Sequence, residues 1–597
     1  MLNPNSAIDR IKNSLSYRLG LAIIECKKQH GGGYITLPYK LYKIKQQHFK
    51  EQKLYKQTIK IFPQLAYPKV ESCKDYNESI RYKYHLSYML GEALICAHKA
   101  WCKGGYFMLP SLLKEKYKIY KNIQDIISIL PQKLHYHFYN STIKNHKINI
   151  QDLIDILKQH KDYKPILENI FHNFDFFIKH FDLIRIWLSS KDFKEKYKQE
   201  NHPYPSLLDP KKLNDENEKI NYKNIPAELA WEMNLPLPDN YKFVFLSGGV
   251  SGHAAMMKFL EDCYIGLYTR QTYRGGDVLG IYCDQYLAMQ KKHYNILVYM
   301  EYGNIQSKAK EKLIGLFDQK RRVLFLVRDP ISRLKSRVNH IAPNKFAKYD
   351  FYLDSDVKKV VDVKRYYSRK GISGFPEIDI LENYVNLNFF CYTSLTKNFH
   401  DDVFYIDMEE IKPEKAFDTM CALANKFGFS EPTDKKKFSC TVFDDTIGYF
   451  PMRLHIGSII IIINTEFRAK QIQQSKEYIN IVSDFFDKPL KYDNLGIFIK
   501  PQDYEQLKQS GELMQATKKY LANFIKALEE RIEIEKSKLF KEDDVLKYLK
   551  ENKELRIRLK ELLDKELAHI KQYRPDIVAS WKYYQEFERI CKELDGN

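Results

Sequence analysis

Between residues 240 and about 500 the chain alternates short, uninterrupted apolar runs with stretches whose apolar residues recur at helical spacing. Unbroken apolar runs suit strands buried on both faces, so the rhythm predicts a parallel α/β sheet. The predicted strands are KFVFLS at 242–247, ILVYME at 296–301, RVLFLV at 322–327 and DVFYID at 402–407. Residues 121–235 read as mostly helical, and their aromatic-rich stretch 171–188 suits a core better than a cofactor box. The segment from Pro203 to Pro238 reads as a linker with one helical patch. The last 95 residues read as long charged helices with an apolar stripe, which packs on the sheet domain or pairs with another chain.

The beginning of the chain repeats itself. LSYRLGLAIIECKK at 15–28 matches LSYMLGEALICAHK at 86–99, and GGYITLPYKLYKIK at 32–45 matches GGYFMLPSLLKEKY at 104–117. Two copies of one helix–turn–extended unit are expected. Gly20 and Gly91 allow close packing of another element, the Gly-Gly pairs stop the first helices, and Pro38 and Pro110 restart the chain. With no nucleophile, acid pair or metal cluster, the module reads either as a docking or regulatory unit or as a paired structural cap.

At 597 residues the chain exceeds one core, and three or four domains are expected. The ten cysteines show neither a C-x-x-C pair nor zinc spacing, which suits reduced thiols in a cytoplasmic protein. The longest apolar run, 456–463, is far short of the roughly 20 residues that cross a bilayer, and no signal-type segment opens the chain. The net charge of +20 attracts polyanions such as nucleic acid, anionic lipid or phosphorylated substrates, or reflects lysines spread over solvated faces.

FLSGGVSGHAAMMKFLED at 245–262 is a strand, a turn of Gly248, Gly249, Val250, Ser251 and Gly252, and a helix start. Such a turn aims backbone N–H groups at one spot, where the helix dipole adds about half a positive charge, so it is either a phosphate cradle or a structural corner. No Gly-Lys-Ser/Thr follows, and Ser247 replaces the first glycine of a dinucleotide fingerprint. The strand at 323–327 then delivers Arg328, Asp329 and Pro330 at its C-terminal end, where ligands bind in open α/β sheets, with Ser336 eight residues after Arg328. Arg328 and Ser336 can hold one phosphate together. Asp329 reads as a helix cap, as does the DSD at 354–356.

RDPISRLKS resembles the 3′-phosphate motif of sulfotransferases, and the loop at 247–252 resembles their 5′-phosphosulfate loop. The segment 401–429 looks like the strand and helix that close their sheet, so the resemblance spans about 240–430. It implies a sulfotransferase-like P-loop parallel sheet domain at 239–500. Around it are a tandem helical repeat module at 1–125 (units about 1–71 and 72–125), a helical region and linker at 126–238, and a helical extension at 501–597. One departure is Ser247, which stands where sulfotransferases carry the lysine that neutralises the leaving phosphate, and this bears against sulfuryl transfer.

The whole chain, with its SYRLG unit, is similar to bacterial capsular-polysaccharide proteins labelled sugar transferases, some of them implicated in attaching O-methyl phosphoramidate to capsule sugars. That resemblance implies a 3′-phosphorylated cytidine diphosphate donor, or the sulfate donor PAPS in the alternative of a carbohydrate sulfotransferase, with no tightly bound cofactor and no metal. Capsular polysaccharide or its sugar precursor is the implied acceptor, nucleic acid is not an implied partner, and the location is cytoplasmic, compatible with peripheral contact with the inner membrane or capsule machinery and with oligomerisation. Gly248, Gly249, Val250, Ser251 and Gly252 would hold the 5′ end, Arg328 and Ser336 the 3′-phosphate, with Arg270, Arg274 and His340 as further phosphate contacts. His253 is the first candidate base, against a plain polar helix start, and Glu301 the second. A non-catalytic scaffold of capsule assembly is the competing reading.

Overall fold

The computed structural model describes residues 3–596 except 29–32, 130–131, 133–134, 136–137, 140–149, 267–276, 292, 302–306, 319, 345–348, 398, 400–401, 440–444, 466–476, 489 and 493–494. The chain forms two compact units, Met1–Pro236 and Leu237–Asn597.

In the first unit each repeat is a pair of helices: α1 (Leu15–Lys28) with α2 (Gly33–Ile61), and α3 (Leu86–Lys99) with α4 (Gly105–Ile129). The expectation of an extended second segment is corrected. Pro38 and Pro110 are each the sixth residue of α2 and α4, in the second turn, where each removes a single i→i−4 bond while the helix runs on. The helix 86–99 ends at Ala100, ahead of the glycine pair; Gly104, left-handed at φ 74, closes the short turn Trp101–Lys103 that follows, and Gly32 of the first copy lies outside the described residues. The two copies meet where α1 crosses α3. A Cβ on Gly20 would lie 1.6 Å from the Ser87 carbonyl oxygen, and one on Gly91 1.8 Å from that of Ser16, so the two SYxLG stretches touch backbone to backbone. Only glycine permits that approach.

In the second unit the four apolar runs become β1 (Val244–Gly248), β2 (Leu297–Glu301), β3 (Val323–Val327) and, after a mostly antiparallel sheet strand β4 (Asp350–Tyr352), β5 (Val403–Asp407). β1, β2, β3 and β5 form one parallel sheet in the order β2-β1-β3-β5. Both β1 and β3 are buried at every position, which is why their sequences do not alternate. On one face Phe245, Leu324 and Ile406 pack with Met256 and Leu260 of α5 (His253–Asp262) and with Met420 and Leu423 of α7 (Ala416–Phe427). α6 (Pro330–Val338) follows β3.

A second sheet was not legible in the rhythm of the sequence. β6 (Met452–Ile456), β7 (Ile459–Thr465), β8 (Ile479–Asn480) and β9 (Leu495–Ile499) join β4 in the order β8-β9-β7-β6-β4. The isoleucine run is therefore the second arm of a hairpin turned at Gly457. Its apolar face packs on α8 (Gly511–Ser537) through Leu521, Phe524 and Leu528. Of the helices that follow, α9 (Glu542–Glu551), α10 (Lys553–Glu566) and α11 (Lys582–Asp595) are the longest, and α9 and α11 pack against α6. The carboxy-terminal helices thus pack on the α/β core, as one of the two sequence alternatives has it. Among the described residues no helix is long and apolar enough to cross a membrane.

Candidate anion-binding site

The chain leaves β1 for β2 on one side and later returns to β3 on the other, so the parallel sheet reverses its order at β1. At such a switch point two loops leave in opposite directions and open a crevice beyond the carboxyl ends of the strands. The loop 249–252 lies at the end of β1 and Arg328 at the end of β3.

These two elements touch. The Arg328 Nη1 donates to the Val250 carbonyl at 2.9 Å. Arg333, one turn into α6, donates to the Gly249 carbonyl from Nη2 at 3.1 Å and Nε at 3.3 Å. Ser251 Oγ donates to the Gly248 carbonyl at 2.5 Å. Three successive carbonyls are thereby turned inward onto protein donors. Among the described residues no acceptor meets the N–H groups of Val250, Ser251 and Gly252. Val250 and Gly252 both have left-handed backbone, at φ 56 and 97, and alternation of this kind gathers successive N–H groups into an anion-binding concavity. For a β-branched residue such as Val250 the conformation costs about 1–2 kcal/mol, which the Arg328 bond helps to offset.

Arg333 is the residue that sequence reasoning missed. Its side chain is 1% exposed, lies 4.4 Å over the Phe389 ring, and donates to the Phe389 carbonyl at 2.9 Å and the Tyr392 hydroxyl at 2.5 Å. A Cβ on Gly248 would stand 2.5 Å from Arg333 Nη2, so Gly248 is glycine because a guanidinium lies against it. The signal available was a pair of arginines, Arg333 and Arg337, at helical spacing on the buried face of an amphipathic helix.

Asp329 caps α6 as expected, its Oδ1 accepting from the N–H groups of Ile331 (2.8 Å) and Ser332 (3.2 Å). Its Oδ2 also accepts from the N–H groups of Tyr583 and Tyr584, both at 3.1 Å, so one carboxylate caps α6 and α11 together. Burial pushes its carboxyl up while the four N–H groups pull against that shift. Asp407, at the end of β5, accepts from Trp581 Nε1 and from the Glu409 N–H at 2.9 Å, and burial pushes its carboxyl up to about 6. Glu542 Oε1 accepts from Ser332 Oγ and Lys335 Nζ, each at 3.1 Å, and its charge favours the charged form of Arg328 against the burial that lowers it.

The remaining predicted residues fare differently. His253 opens α5, but its ring is 5% exposed, stacks on Phe245 at 5.7 Å, and its Nδ1 lies 2.7 Å from Ser247 Oγ. Burial lowers its pKa to about 4, so the imidazole is neutral near pH 7 and sits between the sheet and α5, not in the crevice. Glu301 closes β2 opposite Gly248, which brings its backbone beside the loop, though its side chain lies outside the described residues. Ser336 is half-buried on α6. His340 stacks on Tyr367, and burial lowers its pKa to about 4. Arg270 and Arg274 lie outside the described residues. Asp356 of the DSD caps a short helix through the Lys358 N–H at 3.0 Å. Among the described residues no three His, Cys, Asp or Glu side chains gather as a metal site.

Residues 2–122 match a family described as a domain of unknown function (DUF8374), and residues 405–594 one described as a protein of unknown function (DUF2972). The first coincides with the repeat module; the second runs from β5 through α11, and the loop 248–252 and Arg328 lie between the two. No curated protein and no solved structure matches the chain.

Proposed function

We propose that this chain is a group transferase that moves an O-methyl phosphoramidate group from a nucleotide donor bearing a 3′-phosphate to a hydroxyl of a capsular-polysaccharide sugar. One observation carries the reading: the hydrogen bond between Arg328 and the Val250 carbonyl, which joins the amide concavity and the strand-end guanidinium at the switch point of a parallel sheet. The N–H groups of the half-exposed Val250 and Gly252 would receive the donor's diphosphate, with Ser251, fully buried, shaping the turn between them, and the remaining Arg328 donors, with Ser336, its 3′-phosphate. The sugar oxygen attacks phosphorus in line, the bond from phosphorus to the nucleotide phosphate oxygen breaks, and the hydroxyl proton passes to a base. Glu301 takes that role in this scheme, because its Cα pairs with Gly248 at the crevice, whereas His253 is buried.

The test is calorimetric binding of cytidine 3′-phosphate 5′-diphosphate against cytidine 5′-diphosphate. The 3′-phosphorylated compound should bind more tightly, and Arg328→Ala should lose about 1.5–3 kcal/mol of that preference. Equal affinity for the two nucleotides in the unaltered chain overturns the assignment. A non-catalytic scaffold is the second reading, favoured by one feature: Arg328 and Arg333 both donate to loop carbonyls and so hold structure. Turnover of the phosphoramidate donor separates the two, since a scaffold gives none.

A further inference from the structure

The charge of this chain is concentrated at one end. Residues 1–125 hold 22 lysines and arginines against 9 acidic residues, which is +13 of the total +20. Within them α2 alone has seven lysines and one glutamate. It uses one stripe, Leu37, Leu41, Ile44 and His48, half-buried, as the inward face of an amphipathic helix. Helical spacing puts a second apolar stripe on its opposite side: Ile35 (88% exposed), Tyr39 (62%), Tyr42 (59%) and Phe49 (51%). The exposed lysines Lys43, Lys50, Lys53 and Lys60 fall on that same outward side.

The neighbouring repeat extends this surface. Phe107, 93% exposed, stands in the first turn of α4, just after Trp101, 65% exposed. The α2 and α4 helices are tied where this happens: Lys45 Nζ donates to His98 Nε2 at 2.7 Å, and the other ring nitrogen lies 2.6 Å from the Tyr106 hydroxyl. Large apolar side chains held in water beside lysines are costly unless something covers them.

We infer that this face lies on an anionic lipid bilayer, with α2 in the plane of the headgroups. Ile35, Phe49 and Phe107 would enter the acyl boundary, the tyrosines and Trp101 would sit at headgroup level, and the lysine stems would run along the apolar surface to the phosphates. Charge complementarity selects this occupant. A second copy would oppose one +13 module with another, and a nucleic-acid backbone has no use for exposed Ile35. The inference stands apart from the transferase reading.

Trp101 supplies the test, because the other three tryptophans, Trp187, Trp231 and Trp581, are buried. The full chain is mixed with vesicles of phosphatidylcholine alone and with vesicles containing roughly one-third phosphatidylglycerol. The anionic vesicles should sediment the protein and shift Trp101 emission to the blue, an effect absent in Trp101→Phe, and the neutral ones should do neither. Replacing Lys43, Lys50 and Lys53 together by Gln should lower partitioning on the order of a hundredfold. Ile35→Ser with Phe107→Ser should abolish the binding that survives high salt. If the lysine variant loses its helical signal, salt titration of the unaltered chain makes the same comparison. Indifference to lipid charge, an equal emission shift with duplex DNA, or a blue-shifted Trp101 in a lipid-free dimer overturns the inference.

Discussion

Gly248 and Asp407 show how much single residues contribute at the crevice. Gly248→Ala would drive a Cβ against Arg333, whose guanidinium is pinned by the carbonyls of Gly249 and Phe389 and cannot retreat. We expect a loss of about 1–3 kcal/mol in urea unfolding, as overpacked sites give. Buried groups of the second unit also shape its response to acid, Asp329 acting in the same direction as Asp407. His253 and His340, lowered to about 4 by burial, contribute stability that is complete above about pH 6.5 and is lost as the pH falls toward 4. Asp407, raised to about 6, does the opposite: its contribution is complete below about pH 4 and is lost as the pH rises through 6. Stability measured from pH 4 to 6.5 should therefore rise, and Asp407→Asn should make the rise steeper by up to about 3 kcal/mol over that window. An unchanged slope in the variant would show that Asp407 does not titrate there. These residues were legible only in part. A glycine after a strand announces a turn, but the arginine lying on it, Arg333, comes from a helix 85 positions further along.

Among the elements, the α1 and α3 crossing gives a prediction whose sign is diagnostic. On helix propensity alone, Gly91→Ala should stabilise by about 1 kcal/mol. The added methyl would instead overlap the Ser16 carbonyl, so the module should lose more than about 2 kcal/mol, read from thermal unfolding by circular dichroism. The same elements show where pattern reading stops. The repeats at 15–28 and 86–99 read as helices with a glycine on their packing face, whereas their partners read as extended, with Pro38 and Pro110 restarting the chain after a Gly-Gly stop. Pro38 is instead the sixth residue of a 29-residue helix, which continues past it. Likewise DVFYID is recognisable as a strand, while the capping of α6 and α11 by one Asp329 carboxylate joins segments 254 residues apart.

At the scale of the molecule, each unit has its own core, so the fragment 237–597 should express as a folded protein, unfold cooperatively, and keep the nucleotide preference of the full chain. An unfolded fragment would mean that its core depends on the first unit. A shorter fragment ending before α9 should fail, because Asp329, Asp407 and the α6 surface would lose Tyr583, Trp581 and Glu542. Local order alone was enough to announce a parallel sheet of four named strands, a helical repeat, a basic chain and a glycine turn meeting a helix, since periodicity and turn chemistry act over a few residues. Which strand neighbours which, that the sheet reverses its order at β1, that Arg333 rather than a lysine lies against the loop, and that His253 turns into the core all emerged from closure of the chain. Those outcomes depend on contacts between segments far apart in sequence, and no window of pattern contains both partners.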